Sequence, residues 1–126
     1  MSYIYLASPY SANTQQKMDE RYKIAQECVG EFTRGGVVML SPVLHCHDLA
    51  RRYELRTDYA FWRQLNEALI RAASELWVLC LPGWEDSLGV SSEIKFAKTL
   101  HKPIRYLNCI PPSFSFRDGV EIGPDI

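Results

Sequence analysis

Short apolar segments alternate with longer segments of helical periodicity along this 126-residue chain, and this alternation restricts the possible folds more than any other feature. The apolar segments are YIYLA (3–7), VVML (37–40), LWVLCL (76–81) and IRYL (104–107). Apolar residues recur at steps of three and four over about 11–34, 58–73 and 89–101, which is typical of helices with one buried face. Short strands that are apolar throughout, separated by helices, indicate a parallel sheet covered on both faces.

We therefore predict an α/β fold, a three-layer doubly wound sandwich of flavodoxin-like or Rossmann-like type with four or five mainly parallel strands. The length favours a single domain over 1–126. The tail, about 108–126, is expected to be irregular or to add an edge strand through its alternating SFSF, and it could cover a neighbouring subunit. The polar stretch 41–57 is expected to lead into the second major helix.

The ends of the first predicted helix and the buried face of the second can be predicted from capping residues and apolar spacing. Ser11 or Asn13 is expected to cap the first helix. Gly35-Gly36 is expected to end it. The buried face of the second helix is predicted to contain Trp62, Leu65, Leu69 and Ala73.

Charge and composition exclude several function classes. The formal net charge is −1 and the Lys and Arg residues are scattered, which argues against binding of polymeric nucleic acid through a basic patch. The first residues, MSYIYLASPYS, contain neither a basic leader nor a membrane-spanning apolar stretch. We expect a cytoplasmic protein whose four cysteines are reduced, without a membrane partner.

Three loops that follow predicted strands carry the polar residues of interest: ASPYSAN, SPVLHCH and LPGWEDSLGVSSE. Ligands of doubly wound sheets bind beyond the carboxyl ends of the strands. In the first loop, the hydroxyls of Ser8, Tyr10 and Ser11 precede a helix and could form an anion seat, or the loop could be a plain capping turn.

The HCH motif, which contains His45 and His47, lacks the further ligands that a tetrahedral zinc site needs. We therefore predict no metal and no cofactor, and we expect His47 to point into the crevice. Arg21 is a further residue that could reach it. Trp84 and Tyr10 offer flat surfaces that could sandwich a heterocyclic base, although Trp84 could equally pack against the core.

Glu93 follows the third strand and lies near the start of the last helix, which Ser87 or Ser91 could cap. A glutamate there can simply be a good residue for starting a helix. It can also be a functional carboxylate at the ligand-binding edge. The spacing by itself leaves both interpretations open.

Together, IYLAS at the first strand and DSLGVSSE after the third resemble the nucleoside 2-deoxyribosyltransferase-like superfamily. The ASPYS start and the LPGWEDSLG loop are most similar to its domain-of-unknown-function branch DUF1937, and DSLGVSSE also resembles deoxynucleoside 5′-monophosphate N-glycosidases. The resemblance covers most of residues 3–107.

The resemblance implies that Glu93 is a nucleophile that attacks the anomeric carbon, with Tyr5 beside it. A covalent glycosyl-enzyme would form, as in retaining glycosidases. The glutamate must be ionised for this attack, and a helix N-terminus with hydroxyl donors is expected to keep it so. Gly89 would let the backbone pass close to the sugar.

The resemblance also implies roles for further residues. Ser87 would help to hold a phosphate. In the transferases an acid occupies the position of Ser87, and Asp86 of this chain lies one residue before that position. A carboxylate is expected on the helix before the third strand, where this chain has Asn66 and Glu67. Asn66 lies at the edge of the predicted buried face and Glu67 points away from it. An asparagine can bind a sugar hydroxyl but cannot shuttle a proton.

These observations favour an enzyme that cleaves the N-glycosidic bond of a small (deoxy)nucleoside or (deoxy)nucleoside 5′-monophosphate, with hydrolysis preferred over base exchange. Three alternatives stay open: a nucleoside 2-deoxyribosyltransferase, a nucleotide-binding module without turnover, and a flavodoxin-like interaction domain. The expected partners are the small molecule and further copies of the chain, in a homodimer or larger homo-oligomer.

Overall fold

The computed structural model, which describes residues 2–110, 113–117 and 119, contains a five-stranded sheet and four α-helices. In chain order the elements are β1 (Ile4–Ala7), α1 (Gln15–Arg34), β2 (Met39–Leu40), α2 (Pro42–Arg52), α3 (Tyr59–Ala72), β3 (Glu75–Cys80), α4 (Leu88–Thr99), β4 (Ile104–Ile110) and β5 (Ser113–Phe116). A single 3₁₀ turn, Trp84–Asp86, lies between β3 and α4.

The strands lie in the order β2-β1-β3-β4-β5. The first four are parallel and β5 is antiparallel to β4. In this register Tyr5 of β1 lies between Leu40 of β2 and Leu76 of β3. The chain moves outward from β1 in both directions, so strand order reverses between β1 and β3. A crevice at the carboxyl ends of these two strands is the expected ligand position.

Helices cover both faces of the sheet, which confirms the predicted three-layer α/β sandwich. On one face, Tyr5 of β1 packs in a core cluster with Ile70 of α3 and Ala97 of α4. On the opposite face, Leu6 clusters with Cys28 of α1. Adjacent residues of β1 therefore belong to different cores, because successive side chains of a strand point to opposite faces.

The helix starts follow local capping chemistry. Thr14 caps α1, with its Oγ1 accepting from the Lys17 N–H at 3.2 Å, so the predicted caps Ser11 and Asn13 are wrong. Ser87 caps α4, with its Oγ accepting from the Val90 N–H at 3.2 Å, which decides between the two serines considered for that position.

Helix α2 was not predicted, because 41–57 contains many polar residues. Ser41 caps it, accepting from the Leu44 N–H at 3.4 Å, and a proline occupies its first turn. Val43, Cys46 and Ala50 lie three and four residues apart and form its buried stripe. Pro42 and His47 of the same helix are buried as well.

Two further expectations concern α3 and the tail. Of the predicted buried face of α3, Ala73 is buried and Trp62 and Leu69 pack against core clusters, whereas Leu65 is 37% exposed. Asn66 and Ile70 are buried as well, so the buried face extends towards these two residues and not towards Leu65. The SFSF segment forms β5, which confirms the edge-strand alternative for that part of the tail. The expectations for 111–112, 118 and 120–126 lie outside the described residues.

Candidate functional site

A pocket of about 460 Å³ opens at the carboxyl edge of β1 and β3, where the strand order reverses. Its walls come from the loop after β1, the first turns of α2, one stripe of α3 and the segment that runs from Gly83 to Glu93. Both the position and the volume are typical of small-molecule sites in doubly wound α/β proteins.

Glu93 forms part of the pocket wall, and its side chain is almost completely buried, at 4% exposure. It lies in the second turn of α4. Burial raises the pKa of Glu93 to about 8, and the hydrogen bond from Tyr5 opposes this rise. A carboxyl group with this pKa is mostly protonated at neutral pH.

The expectation that the helix N-terminus keeps Glu93 ionised is therefore wrong. The effect of a helix dipole falls off within the first turn, and Glu93 lies beyond that turn. Loss of hydration disfavours the charged form of a buried carboxyl group. In this pocket the desolvation cost outweighs the stabilisation of the carboxylate.

Tyr5 lies beside Glu93, as the resemblance implies. Its side chain is fully buried in the core under α3 and α4, and its hydroxyl donates a hydrogen bond to Glu93 Oε2. Burial, together with the neighbouring Glu93, raises the pKa of Tyr5 well above its usual value. Tyr5 therefore remains a donor, and this bond stabilises the carboxylate form of Glu93 relative to the acid.

Three side chains of α3 form one stripe along the pocket: Tyr59, Trp62 and Asn66. The Tyr59 hydroxyl and Asn66 Oδ1 are buried and have no hydrogen-bond partner among the described residues. Buried polar groups without partners carry a desolvation cost that a ligand can relieve. Tyr59 and Trp62 were not predicted as site residues, although they lie seven and four residues before Asn66, which is helical spacing.

Glu67, the other α3 residue considered for a catalytic role, does not line this pocket. Its carboxylate accepts a hydrogen bond from Arg63 Nε at 2.7 Å, one helical turn away. Of the two α3 candidates, only Asn66 lies on the face of α3 that lines the pocket together with Glu93. The pocket therefore contains an amide where the resemblance implies a carboxylate.

The loop after β1 contributes Ser8, Tyr10 and Ser11 to the pocket. The buried Ser8 Oγ has no partner among the described residues, whereas the Ser11 hydroxyl donates to the Thr57 carbonyl. Arg21 of α1 also lines the pocket, and its Nη1 donates to the Ser11 carbonyl at 2.7 Å. The anion seat that was expected to be lined by hydroxyls therefore has a cation in its wall.

The Gly83–Glu93 segment contributes Asp86, Ser87 and Gly89. Asp86 is exposed at the rim, and the Ser87 hydroxyl is engaged as the α4 cap. A Cβ at Gly89 would lie 3.3 Å from Cδ1 of Tyr59. The glycine therefore makes room for the Tyr59 ring, while the predicted close approach of a sugar stays a prediction.

Trp84 does not line the pocket, although it was considered as a stacking surface for a base. Its ring packs against Tyr106, with ring centroids 5.6 Å apart, and it joins the core cluster on the α4 face. The contacts of Trp84 are therefore those of the second interpretation, in which this residue packs against the core. Tyr10 is the aromatic residue of the predicted pair that borders the pocket.

His47 lies behind Tyr10 rather than in the pocket wall. It is 3% exposed, and its Nδ1 lies 2.8 Å from the Tyr10 hydroxyl. Its ring stacks on Tyr22, and its Nε2 lies 3.5 Å from Asp19 Oδ1. His47 therefore reaches the pocket only through Tyr10.

Neither a metal site nor a membrane-spanning helix is found among the described residues. Within these ranges, no group of three or more His, Cys, Asp and Glu side chains is placed to hold a metal ion. None of the helices in the described part of the chain has the length and hydropathy needed to cross a bilayer.

Comparison with known proteins relates the chain to one family. A search of the curated proteins finds no significant match. The model of a protein family that is described as a domain of unknown function, DUF1937, matches residues 2–108. This match includes β1, the four helices and the whole Gly83–Glu93 segment. The chain therefore belongs to the DUF1937 family.

Proposed function

We propose that this protein cleaves the N-glycosidic bond of a small nucleoside or of a deoxynucleoside 5′-monophosphate, with Glu93 as the nucleophile. The observation that carries the proposal is the buried Glu93–Tyr5 pair in the wall of the pocket where strand order reverses. The resemblance of DSLGVSSE and IYLAS to the nucleoside 2-deoxyribosyltransferase-like superfamily supports it.

The chemistry requires a carboxylate beside the sugar. Breaking the bond between C1′ and the base nitrogen creates positive charge on the sugar ring, and a carboxylate oxygen can bond to C1′. The Tyr5 hydroxyl fixes one oxygen of Glu93, which orients the other. The positive charge that develops on the sugar also favours ionisation of Glu93, whose pKa of about 8 leaves part of the carboxylate available near neutral pH.

Arg21 favours a phosphorylated substrate. A guanidinium is a strong donor to phosphate oxygens. Arg21 lies in the same pocket as the Ser8 hydroxyl, which has no hydrogen-bond partner among the residues that the structure describes. We therefore favour hydrolysis of a deoxynucleoside 5′-monophosphate. Base exchange is the alternative reaction, and it would require a second base to enter while water is kept out.

Release of free base is the direct test. The protein is incubated with each deoxynucleoside 5′-monophosphate and with the matching deoxynucleoside, with and without a different free base, and the products are separated by chromatography. Glu93→Gln is expected to lower base release by at least about a hundredfold. Glu20→Gln, at an exposed position of α1, is the matched control and is expected to leave the rate unchanged.

The outcomes separate the reactions. Free base without a new nucleotide indicates hydrolysis, and a new nucleotide in the presence of the second base indicates exchange. If no substrate releases its base, and Glu93→Gln behaves as the native protein does, the proposal is refuted.

A nucleotide-binding module without turnover is the second candidate, and two observations favour it. Asn66 stands where a carboxylate is expected, and burial raises the pKa of Glu93. A ligand that binds only the folded protein raises its melting temperature. A raised melting temperature with a deoxynucleotide, and no product after long incubation, would support binding over catalysis.

A further inference from the structure

A base that leaves C1′ needs a proton, and the pocket carboxylates other than Glu93 are poorly suited to deliver one. Asn66 has an amide in place of an acid. Asp58 is half-buried and binds Arg56 through two hydrogen bonds of 2.6 and 2.8 Å. Asp86 is exposed at the rim. Another group with an exchangeable proton must therefore face the base.

Tyr10, His47 and Asp19 form a continuous chain that ends at the pocket wall. The Tyr10 hydroxyl lies 2.8 Å from His47 Nδ1, and His47 Nε2 lies 3.5 Å from Asp19 Oδ1. The three residues come from the loop after β1, from α2 and from α1. Tyr22 stacks on the imidazole at 4.0 Å, and Arg51 lies 3.4 Å from the same Asp19 oxygen.

The orientation of this chain suits proton transfer toward the pocket. Asp19 Oδ1 lies 3.5 Å from His47 Nε2, where its charge would stabilise a protonated imidazole, as the carboxylate does in a Ser-His-Asp triad. With a proton on Nδ1, His47 donates to the Tyr10 oxygen, and the Tyr10 hydroxyl is free to donate into the pocket. Burial raises the pKa of Tyr10 to about 12, so its hydroxyl keeps its proton until a neighbour replaces it.

We propose that Tyr10, His47 and Asp19 form the proton relay that serves the leaving base, a role that rests on the proposed glycosidase function. Tyr10 is the catalytic residue of the relay, because it alone borders the pocket. His47 and Asp19 act through Tyr10. The relay supplies the proton that a carboxylic acid at the position of Asn66 would otherwise supply.

The reaction has two steps, formation and hydrolysis of the glycosyl-enzyme. In the first, the bond between C1′ and the base nitrogen breaks, its electron pair stays on the nitrogen, and a Glu93 oxygen bonds to C1′. The base takes the Tyr10 proton while Tyr10 takes the Nδ1 proton of His47. In the second, a water oxygen bonds to C1′ and the electron pair returns to Glu93. The water proton passes to Tyr10, and the Tyr10 proton returns to His47.

Two substrates whose leaving groups differ in their need for a proton distinguish proton transfer by the relay from a structural role of the same residues. The natural substrate is a deoxynucleoside 5′-monophosphate, and the second substrate is para-nitrophenyl 2-deoxyriboside 5-phosphate, whose leaving group departs without a proton. Tyr10→Phe keeps the ring and removes the hydroxyl. His47→Asn places an amide near the Nδ1 position, which can bind Tyr10 but cannot carry a proton.

Both variants are expected to lower kcat/KM for the natural substrate by about 10²–10⁴-fold, the usual contribution of a positioned acid. They are expected to lower kcat/KM for the para-nitrophenyl substrate by less than about fivefold, since kcat/KM covers only the steps up to departure of the leaving group and that bond breaks without acid assistance. Asp19→Asn, at the more exposed end of the relay, is expected to show the same preference with a smaller loss. Glu20→Gln, at an exposed position of α1, is the control, with both rates unchanged.

Equal losses of kcat/KM on the two substrates would overturn the relay and assign Tyr10 and His47 a structural role. An unchanged rate on the natural substrate would overturn it too. If the native protein cleaves neither substrate, or if Glu93→Gln cleaves both at the native rate, the proposed function itself fails, and the relay fails with it. Circular dichroism and urea unfolding establish whether each variant is folded. If His47→Asn does not fold, the comparison of the two substrates is made with Asp19→Asn.

Discussion

Replacing Glu93 by Gln is expected to change how the stability of the protein depends on pH. Burial raises the pKa of Glu93 from 4.5 to about 8. Between these two values the folded protein holds a proton on Glu93 that the unfolded chain has already released. The free energy of unfolding therefore falls as the pH rises through this window, and the contribution of Glu93 is level below and above it.

The size of the effect follows from the two pKa values. One pKa unit corresponds to about 1.36 kcal/mol. For a group that titrates at 4.5 in the unfolded chain and at about 8 in the folded protein, the free energy of unfolding falls by about 2–3 kcal/mol between pH 5 and pH 7. It falls by about another 1 kcal/mol up to pH 9.

Glutamine has no proton to lose in this range, and its amide oxygen can accept the hydrogen bond from Tyr5. Urea unfolding of the native protein and of Glu93→Gln is measured at pH 5, 7 and 9. The variant is expected to gain stability relative to the native protein as the pH rises. Other titrating groups cancel in this comparison. Glu20→Gln is the control and is expected to follow the native curve.

Parallel curves for the native protein and Glu93→Gln between pH 5 and pH 9 would refute the reasoning. They would mean that Glu93 is ionised in the folded protein with an ordinary pKa. The burial seen for its side chain would then be compensated by hydration or by a cation that the described contacts do not include.

Three further predictions concern the pocket and the helix that carries Glu93. With the para-nitrophenyl substrate, kcat/KM is expected to rise with pH and to level off above about pH 8, since Glu93 must be ionised to attack, and a flat profile would contradict its role. Gly89→Ala adds a Cβ 3.3 Å from the Tyr59 ring, which is expected to displace the ring and to raise KM about tenfold. Gly30→Ala, whose Cβ meets nothing within 4 Å, is the control and is expected to stabilise α1 by about 0.5–1 kcal/mol with unchanged kinetics. Ser87→Ala removes the cap of α4 and is expected to lower the free energy of unfolding by about 1 kcal/mol in urea, and an unchanged midpoint would contradict the capping role.

The alternation of apolar segments with helical periodicity predicts the parallel sheet correctly, because strand and helix periods are local properties of the chain. The same method misses α2, whose buried residues lie among charged ones. It also places Leu65 inward, whereas Asn66 is the buried residue of the two. Neighbouring residues point 100° apart on a helix, and only the packing of α3 against the pocket and the sheet decides which edge of the apolar face is buried.

The site residues divide in the same way. Glu93, Tyr5 and Ser87 were proposed from motifs that can be read along the chain. Tyr59 was not, because its part in the pocket depends on the room that Gly89 leaves. Asp19 was not either, because it meets His47 only where α1 and α2 pack together.

The sequence by itself determined the alternation of the strands with three of the four helices, and the edge of the sheet at which polar loops gather, since both follow from local patterns. Only the tertiary structure decided the protonation of Glu93 and the contact between Tyr10 and His47. Desolvation and hydrogen bonding depend on side chains that are distant in sequence: the Tyr5 hydroxyl that binds Glu93 is 88 residues away. Such contacts exist only once the core has closed around them.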